Sequence, residues 1–345
     1  MVPAQAAPAM AERGVAHGPV AVVIPCYRVR DHILDVIAGI GREVDAIYLV
    51  DDACPDHSGD LIERAATDPR VHVIRHEQNL GVGGATVTGI RRAIAEGARI
   101  IIKMDGDGQM DPLLLPVFID TIASGEADYA KGNRFFDPDG LVAMPISRLV
   151  GNAVLSFLAK LSTGYWHSFD PTNGYVAIHA EIARRLPLHK LHKRYFFETD
   201  LLFRLNTLQA RVIDVPMPAI YGDEKSNLRI RGILLPFAAG HLRNFVKRVF
   251  YNYFLRDFSI ASLELIAALA LLAFGAWFGF THWSTAGSGA TAGTVMLAGL
   301  PVILGVQLLL AFLAYDIQSV PSSALHPRFI GHVARIRQLR RGKTE

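Results

Sequence analysis

IIIKMDGDGQMDP, residues 100–112, drives an apolar run straight into two aspartates one residue apart. The run reads as a buried strand. At its end Asp105 and Asp107, separated by Gly106, can direct both carboxylates at one hard cation, which takes oxygen ligands and keeps positions open for phosphate oxygens. The pair therefore implies a metal-bound nucleotide diphosphate. Alone, Asp-x-Asp at a strand end is more often the pattern of a solvated turn or a helix cap, so its surroundings decide.

Those surroundings alternate. Residues 20–25, 46–50, 71–74 and 99–104 read as strands, with helical patterns near 31–41, 58–67 and 82–97 between them. Repeated βαβ predicts an α/β domain with a mainly parallel, Rossmann-like sheet and helices on both faces. Ligands of such sheets bind beyond the carboxyl ends of the strands, where Pro25, Tyr27, Asp51, Asp52, Asp105 and Asp107 fall. Asp51 and Asp52 also fit an Asx-type turn. The glycines Gly81, Gly83 and Gly84 make no dinucleotide fingerprint, which would need glycine at Thr86, nor a phosphate loop, which would need Gly-Lys-Ser/Thr. They suit a turn that comes close to the nucleotide, or an ordinary helix start. Later, Pro187, Pro216, Pro218 and Pro236 break the chain into shorter elements.

At 345 residues and 51% apolar, with mean hydropathy +0.26, the chain fills a core and has apolar sequence to spare. The excess lies near the C-terminus. Residues 258–280 carry Glu264 as their only charge and residues 294–315 carry none, each run long enough to cross a bilayer core of about 30 Å. Arg243, Lys247, Arg248 and Arg256 precede the first run, and Arg335, Arg337, Arg340, Arg341 and Lys343 follow the second. The connecting THWSTAGSGATAG has neither Lys nor Arg, so both ends of the hairpin are expected in the cytoplasm. A formal net charge of +3 without a basic, aromatic-laced stripe argues for membrane contact and against nucleic acid. Residues 1–18 are expected to be a disordered Ala/Pro tail rather than a signal peptide. Two cysteines, Cys26 and Cys54, fit a reducing compartment.

VVIPCY (22–27), LVDDACPDHSGD (49–60), NLGVGGATVTGI (79–90), MDGDGQMDP (104–112) and GNRF (132–135), in that order, resemble family 2 glycosyltransferases of the GT-A fold. DPTNGYVAI (170–178), the FFETDLLFR stretch and the C-terminal hairpin narrow the resemblance to polyprenyl-phosphate glycosyltransferases such as dolichyl-phosphate mannose synthases. The resemblance runs from about residue 20 to 316. It implies a base-binding role for Asp52, with Asp51 as a weaker candidate and Pro25, Tyr27 and Gly81 shaping the pocket. It implies Mg2+ or Mn2+ held by Asp105 and Asp107 with support from Gln109. Arg134, together with Arg148 and Asn152 one helical turn apart, is implied as the site of the acceptor phosphate; the family has serine where Asn152 stands. Glu198 and Asp200 lie near the position where hydroxyl-glycosylating relatives keep their base, which with a phosphate acceptor implies a role in orienting acceptor or sugar; an acidic pair at a helix N-terminus is the alternative. YGDEKSNLRIR (221–231) resembles a loop that closes over the diphosphate, with Lys225, Ser226, Arg229 and Arg231 as contacts.

The expected division is a tail (1–18), a GT-A catalytic domain (19–231), a juxtamembrane amphipathic segment (232–257), a transmembrane hairpin (258–316) and a basic cytoplasmic tail (317–345). The expected reaction is inverting transfer of a sugar from a nucleotide sugar to a polyprenyl phosphate on the cytoplasmic leaflet. Transfer to a sugar hydroxyl of a lipid-linked or cell-surface polysaccharide is the alternative, although the Gln-x-x-Arg-Trp motif of processive synthases is absent. A non-catalytic membrane-tethered scaffold is a second alternative, opposed by the intact Asp52, Asp105 and Asp107. Within the hairpin, Glu264 and Gln307 fall at similar depth and are expected to hydrogen-bond; otherwise Glu264 snorkels or meets another subunit of a homo-oligomer.

Overall fold

The computed structural model describes residues 17–136, 146–218, 230–283 and 291–331. Seven strands form one sheet: β1 (Val20–Cys26), β2 (Ala46–Asp51), β3 (Val71–Arg75), β4 (Ile100–Lys103), β5 (Tyr129–Asn133), β6 (Val176–His179) and β7 (Val212–Pro216), in the order β3-β2-β1-β4-β6-β5-β7. All pairings are parallel except those of β6, which runs antiparallel to both β4 and β5. This is the mostly parallel α/β arrangement of the GT-A fold. From β1 the chain winds outward through β2 to β3, then returns to lay β4 on the other side of β1. That reversal opens a crevice at the carboxyl ends of β1 and β4. Asp105 and Asp107 follow β4 directly.

Helices α1 (Ile33–Gly39), α2 (Ser58–Ala65), α3 (Val82–Ala95) and α4 (Leu115–Ala123) connect these strands. Alternation along β1 splits its side chains between two cores: Val20, Val22 and Ile24 face α1 and α4, while Ala21 and Val23 face α3. Gly89 of α3 is required by this packing, because a Cβ there would sit 2.2 Å from Val23 Cγ1. The second half adds α5 (Ile146–Thr163), the short α6 (Ala180–Ala183), α7 (Phe197–Leu208) and α8 (Ile230–Phe250), which runs through Pro236 and ends in a π-helical turn, Tyr251–Arg256.

Two further helices, α9 (Ile260–Trp283) and α10 (Ala292–Gln318), are long and apolar enough to cross a membrane. They pack side by side through small residues. A Cβ on Gly275 would meet the Ala298 carbonyl oxygen at 2.8 Å, and one on Gly305 would meet Leu272 at 2.8 Å. The expected bond between Glu264 and Gln307 is not formed: Glu264 is half-buried, Gln307 is exposed on the outside of the pair, and no hydrogen bond joins them. Helical phase explains this. Gly305 faces α9, and two residues further on a side chain points about 200° away.

The stretch after α10 also departs from a plain tail. Residues up to Gly331 turn back onto the catalytic sheet, where Val320, Leu325 and Phe329 pack into the core on the α3 side. Residues 1–16 of the expected N-terminal tail and the basic residues from 332 lie outside the described residues.

Candidate active site

A cleft of about 420 Å³ opens at the carboxyl ends of β1 and β4, lined on one side by Pro25, Cys26, Tyr27, Arg28 and Asp52 and on the other by Asp105 and Asp107. Gly81 and the segment Arg194–Tyr195 close its rim. Gly106 fits between the two acids because a Cβ there would already touch Ile33 and Ile24, at 3.0 and 3.2 Å.

The glycine turn is shaped by protein, not by an open ligand space. Gly81 adopts φ +83°, and a Cβ on it would lie 2.5 Å from the Lys193 carbonyl oxygen. Gly83 N–H and Gly84 N–H both donate to that carbonyl, at 2.9 and 3.3 Å. The turn thus seats the 193–195 segment and sets Arg194 and Tyr195 over the cleft. Neither residue, nor Arg28, stands out in the sequence, because each is a polar loop residue without a motif of its own.

Asp52 is 2% exposed and lines the cleft. Its carboxylate accepts Leu80 N–H at 2.8 Å and Gly81 N–H at 2.7 Å, and meets His76 Nδ1 at 2.8 Å. Asp51, next to it, points elsewhere. Successive strand residues face opposite sides, and the Asp51 carboxylate accepts Cys54 N–H and Gly59 N–H at 2.8 and 3.0 Å, fixing the start of α2. The structure therefore keeps Asp51 out of the cleft that the sequence placed it in.

Lys103, the last residue of β4, is fully buried behind the two acids. Its Nζ lies 2.7 Å from Asp105 Oδ1 and 3.7 Å from Glu198 Oε1. Burial alone would lower its pKa, yet Asp105 and Glu198 hold the ammonium above its ordinary value. Burial pushes the Glu198 carboxyl up to about 7, with Lys103 opposing. Glu198 and Asp200 do not act together. They lie two apart on α7 and so on opposite faces, and Asp200 is spent on His192 N–H, Arg204 and Asn244 at 3.1 to 3.3 Å. Asp200 ties α7 to α8 and has no outlet to the cleft.

The turn 170–174 joins the two halves of the site. Asp170 sits at φ +52° and takes the Arg134 guanidinium in a bidentate pair, both contacts 2.8 Å. Four residues on, Gly174 lies against the metal-side acids, where a Cβ would meet Lys103 Nζ at 2.3 Å and Asp105 Oδ2 at 2.6 Å. Beneath the turn, buried Lys131 pairs with Asp214 at 3.2 Å and bonds the Phe169 and Asp170 carbonyls. Asn152 is half-buried on α5. Lys225, Ser226 and Arg229 lie outside the described residues, as do the side chains of Arg148 and Arg231.

The chemistry of the donor set fits a divalent cation. Asp105 is about a third exposed to the cleft, and Asp107 is anchored by Gln109 N–H at 3.0 Å. The Gln109 side chain is not part of the cleft wall. Among the described residues no three His, Cys, Asp or Glu side chains gather in a metal-holding group. A cation here would draw its remaining oxygens from diphosphate and water, the usual habit of Mg2+.

Residues 21–186 match the model of the glycosyl transferase family 2 domain. Over 205 residues the chain is 33% identical to an undecaprenyl-phosphate mannosyltransferase of Micrococcus luteus, covering 57% of this chain and 82% of that one. The chain belongs to glycosyltransferase family 2. It is also 29% identical to a UDP-N-acetylglucosamine–dolichyl-phosphate N-acetylglucosaminyltransferase of Methanococcus voltae, over 63% of this chain and 91% of the relative. A polyprenol monophosphomannose synthase of Mycolicibacterium smegmatis is 31% identical over 57% of this chain and 75% of its own. Among solved structures, glucosyl-3-phosphoglycerate synthase of Mycobacterium tuberculosis with Mg2+ and UDP superposes at TM-score 0.51 and 19% identity, over 68% of this chain and 80% of that one. That likeness is one of fold. This family 2 enzyme therefore carries a GT-A domain followed by two apolar helices.

Proposed function

We propose that this glycosyltransferase moves a sugar, with inversion, from a nucleotide sugar to a polyprenyl phosphate at the cytoplasmic face of the membrane. The observation that carries this reading is the 170–174 turn. It holds Arg134 bidentately at one end and lies against Asp105 and Lys103 at the other, an arrangement that supports a role for the Arg134 guanidinium in binding an acceptor phosphate beside the acids assigned to the diphosphate. The polyprenyl-phosphate acceptors named for the M. luteus and M. smegmatis relatives support it.

The membrane position rests on apolar surface. On α5, Val150, Val154 and Phe157 are 55 to 57% exposed at helical spacing. On α8, Leu235, Leu242 and Val246 are likewise exposed. Together with the two apolar helices α9 and α10, these exposed side chains would suit contact with a lipid surface, which would keep a lipid-bound acceptor at the depth of its phosphate. The Lys/Arg distribution supports a cytoplasmic position for both ends of the hairpin, and with them for the catalytic domain.

Asp105 and Asp107 would hold Mg2+ or Mn2+, which supplies neutralisation of charge on the leaving diphosphate. Asp52, Pro25 and Tyr27 shape the nucleoside end of the cleft, and Arg28 and Arg194 bring positive charge to its rim. A phosphate monoester is largely a dianion at neutral pH, so the acceptor needs alignment by Arg134 rather than a strong base.

One observation favours the second reading, transfer to a sugar hydroxyl. Glu198, with its carboxyl raised to about 7, is suited to accept a proton from an alcohol. Purified protein offered a panel of nucleotide sugars with undecaprenyl phosphate should yield one polyprenyl-phosphate sugar by mass spectrometry. Turnover only with a hydroxyl acceptor would move the assignment to the second reading. Asp107→Asn should abolish turnover and weaken nucleotide binding only when divalent cation is present; full turnover by that variant would remove the metal from the scheme.

A further inference from the structure

We propose that Lys103 is a resident cation that keeps the metal site weak until the donor arrives, so that the divalent ion enters with the nucleotide diphosphate. The inference rests on the reading of Asp105 and Asp107 as metal ligands and adds the order in which their site is filled.

Lysine at the end of a central strand is out of place unless its charge is used. Lys103 is 2% exposed, flanked by β1 and β6, and its ammonium has two carboxylates within reach: Asp105 at 2.7 Å and Glu198 at 3.7 Å. Gly174 is the residue that lets it lie there, since any side chain would occupy the position of Nζ. The ammonium takes one oxygen of Asp105 and offsets part of the negative charge that Asp105 and Asp107 bring to the cleft, with Glu198 behind them on its other side. In the donor-free enzyme a divalent ion therefore meets an acid pair already partly neutralised, with no third acid in a metal-holding group among the described residues. Diphosphate oxygens supply the missing negative charge. A unit positive charge removed from a few ångströms away changes the attraction for a divalent ion by more than a factor of ten even with strong screening. The arrangement would prevent futile metal capture and make cation binding report on donor binding.

Lys103 and its neighbour Glu198 give variants of opposite sign. Mn2+ binding to detergent-solubilised full-length protein, followed by loss of the free-ion electron paramagnetic resonance signal at mildly alkaline pH, should be weak without nucleotide and strong with UDP or GDP. Lys103→Met should tighten donor-free Mn2+ binding by about tenfold or more, and Lys103→Arg should behave as the parent. Glu198→Gln leaves the ammonium to Asp105 alone and should weaken donor-free binding further. Equal donor-free affinity in parent and Lys103→Met, or tighter binding in Glu198→Gln, overturns the inference. If Lys103→Met does not fold by circular dichroism, the Glu198→Gln result decides alone. The metal-site reading is tested separately: Asp107→Asn should lose Mn2+ binding even with nucleoside diphosphate present, and retention there overturns that reading whatever Lys103 does.

Discussion

Glu198 carries its carboxyl in a site where burial outweighs a neighbouring ammonium, raising its pKa from 4.5 to about 7. An acid whose folded pKa is raised binds its proton more tightly in the folded state. Its contribution to stability is complete below about 4.5 and is lost as pH rises through about 7. Metal-free protein should therefore lose thermal stability across that window, and Glu198→Gln should flatten the slope; an unchanged slope would show that Glu198 is already ionised. At Arg134 the expectation concerns the acceptor. Arg134→Ala should raise the KM for polyprenyl phosphate by roughly one to two decades, the worth of a charged phosphate contact, while a nucleotide titration shows donor affinity unchanged. Arg134→Lys should recover little, because one ammonium cannot replace the fork that Asp170 holds through two contacts of 2.8 Å. At this scale the sequence was legible where chemistry and local geometry coincide. Asp52, Asp105 and Asp107 follow strand ends and line the cleft. It was illegible where a long-range contact decides: nothing local says that Lys103 is buried against Glu198, almost a hundred positions later, or that Asp200 faces α8.

Among the elements, β1 to β4 and α1 to α3 could be read because each carries its own period and stops at its own turn residues. The other three strands could not. β5 reads YAKGN, with a lysine whose burial depends on Asp214 of β7, and β6 is four residues held between two partners. The hairpin makes the same point. Its two apolar runs were visible, but its register is set by backbone approach at glycine rather than by Glu264 and Gln307. Gly275→Leu or Gly305→Leu should therefore force α9 and α10 apart, at about 1–3 kcal/mol for overpacking. Gln307→Leu should leave the pairing intact. Disulfide formation between cysteines at 279 and 298, where a Cβ on Gly279 would lie 3.5 Å from that of Ala298, in a background without Cys26 and Cys54, reads the outcome: the Gly305→Leu change should suppress it, whereas suppression by Gln307→Leu would restore the polar pair as the register device.

Across the whole molecule two buried aspartates bind the hairpin and its trailing segment to the catalytic domain. Asp316, 3% exposed near the end of α10, accepts from Arg248 of α8 at 2.6 and 3.0 Å, from Tyr253 at 2.6 Å and from Trp166 at 2.8 Å. Asp316→Ala leaves Arg248 buried without its counter-charge and should cost about 3–5 kcal/mol in detergent unfolding, whereas Arg248→Met with Asp316→Leu should recover much of that loss. Asp128 is the second. It accepts N–H from Leu325 and His326 and lies 2.9 Å from the His326 ring, and His326 stacks on His179 at 4.1 Å between centroids. Burial alone would raise the Asp128 carboxyl, but the His326 ring and the amides of His326, Leu325 and Arg211 hold it below its ordinary value. A depressed acid contributes stability above its unfolded pKa and loses it as pH falls through the folded one. Amide hydrogens of Leu325, His326, Arg328 and Phe329 should accordingly stay protected at mildly acidic pH and become exchangeable only below the ordinary carboxylate range. Asp128→Ala should expose them at neutral pH while the strand amides of β1 and β4 remain protected. Equal loss of protection in those strands would mean that Asp128 supports the whole sheet, and that the returning segment is not a separate strap.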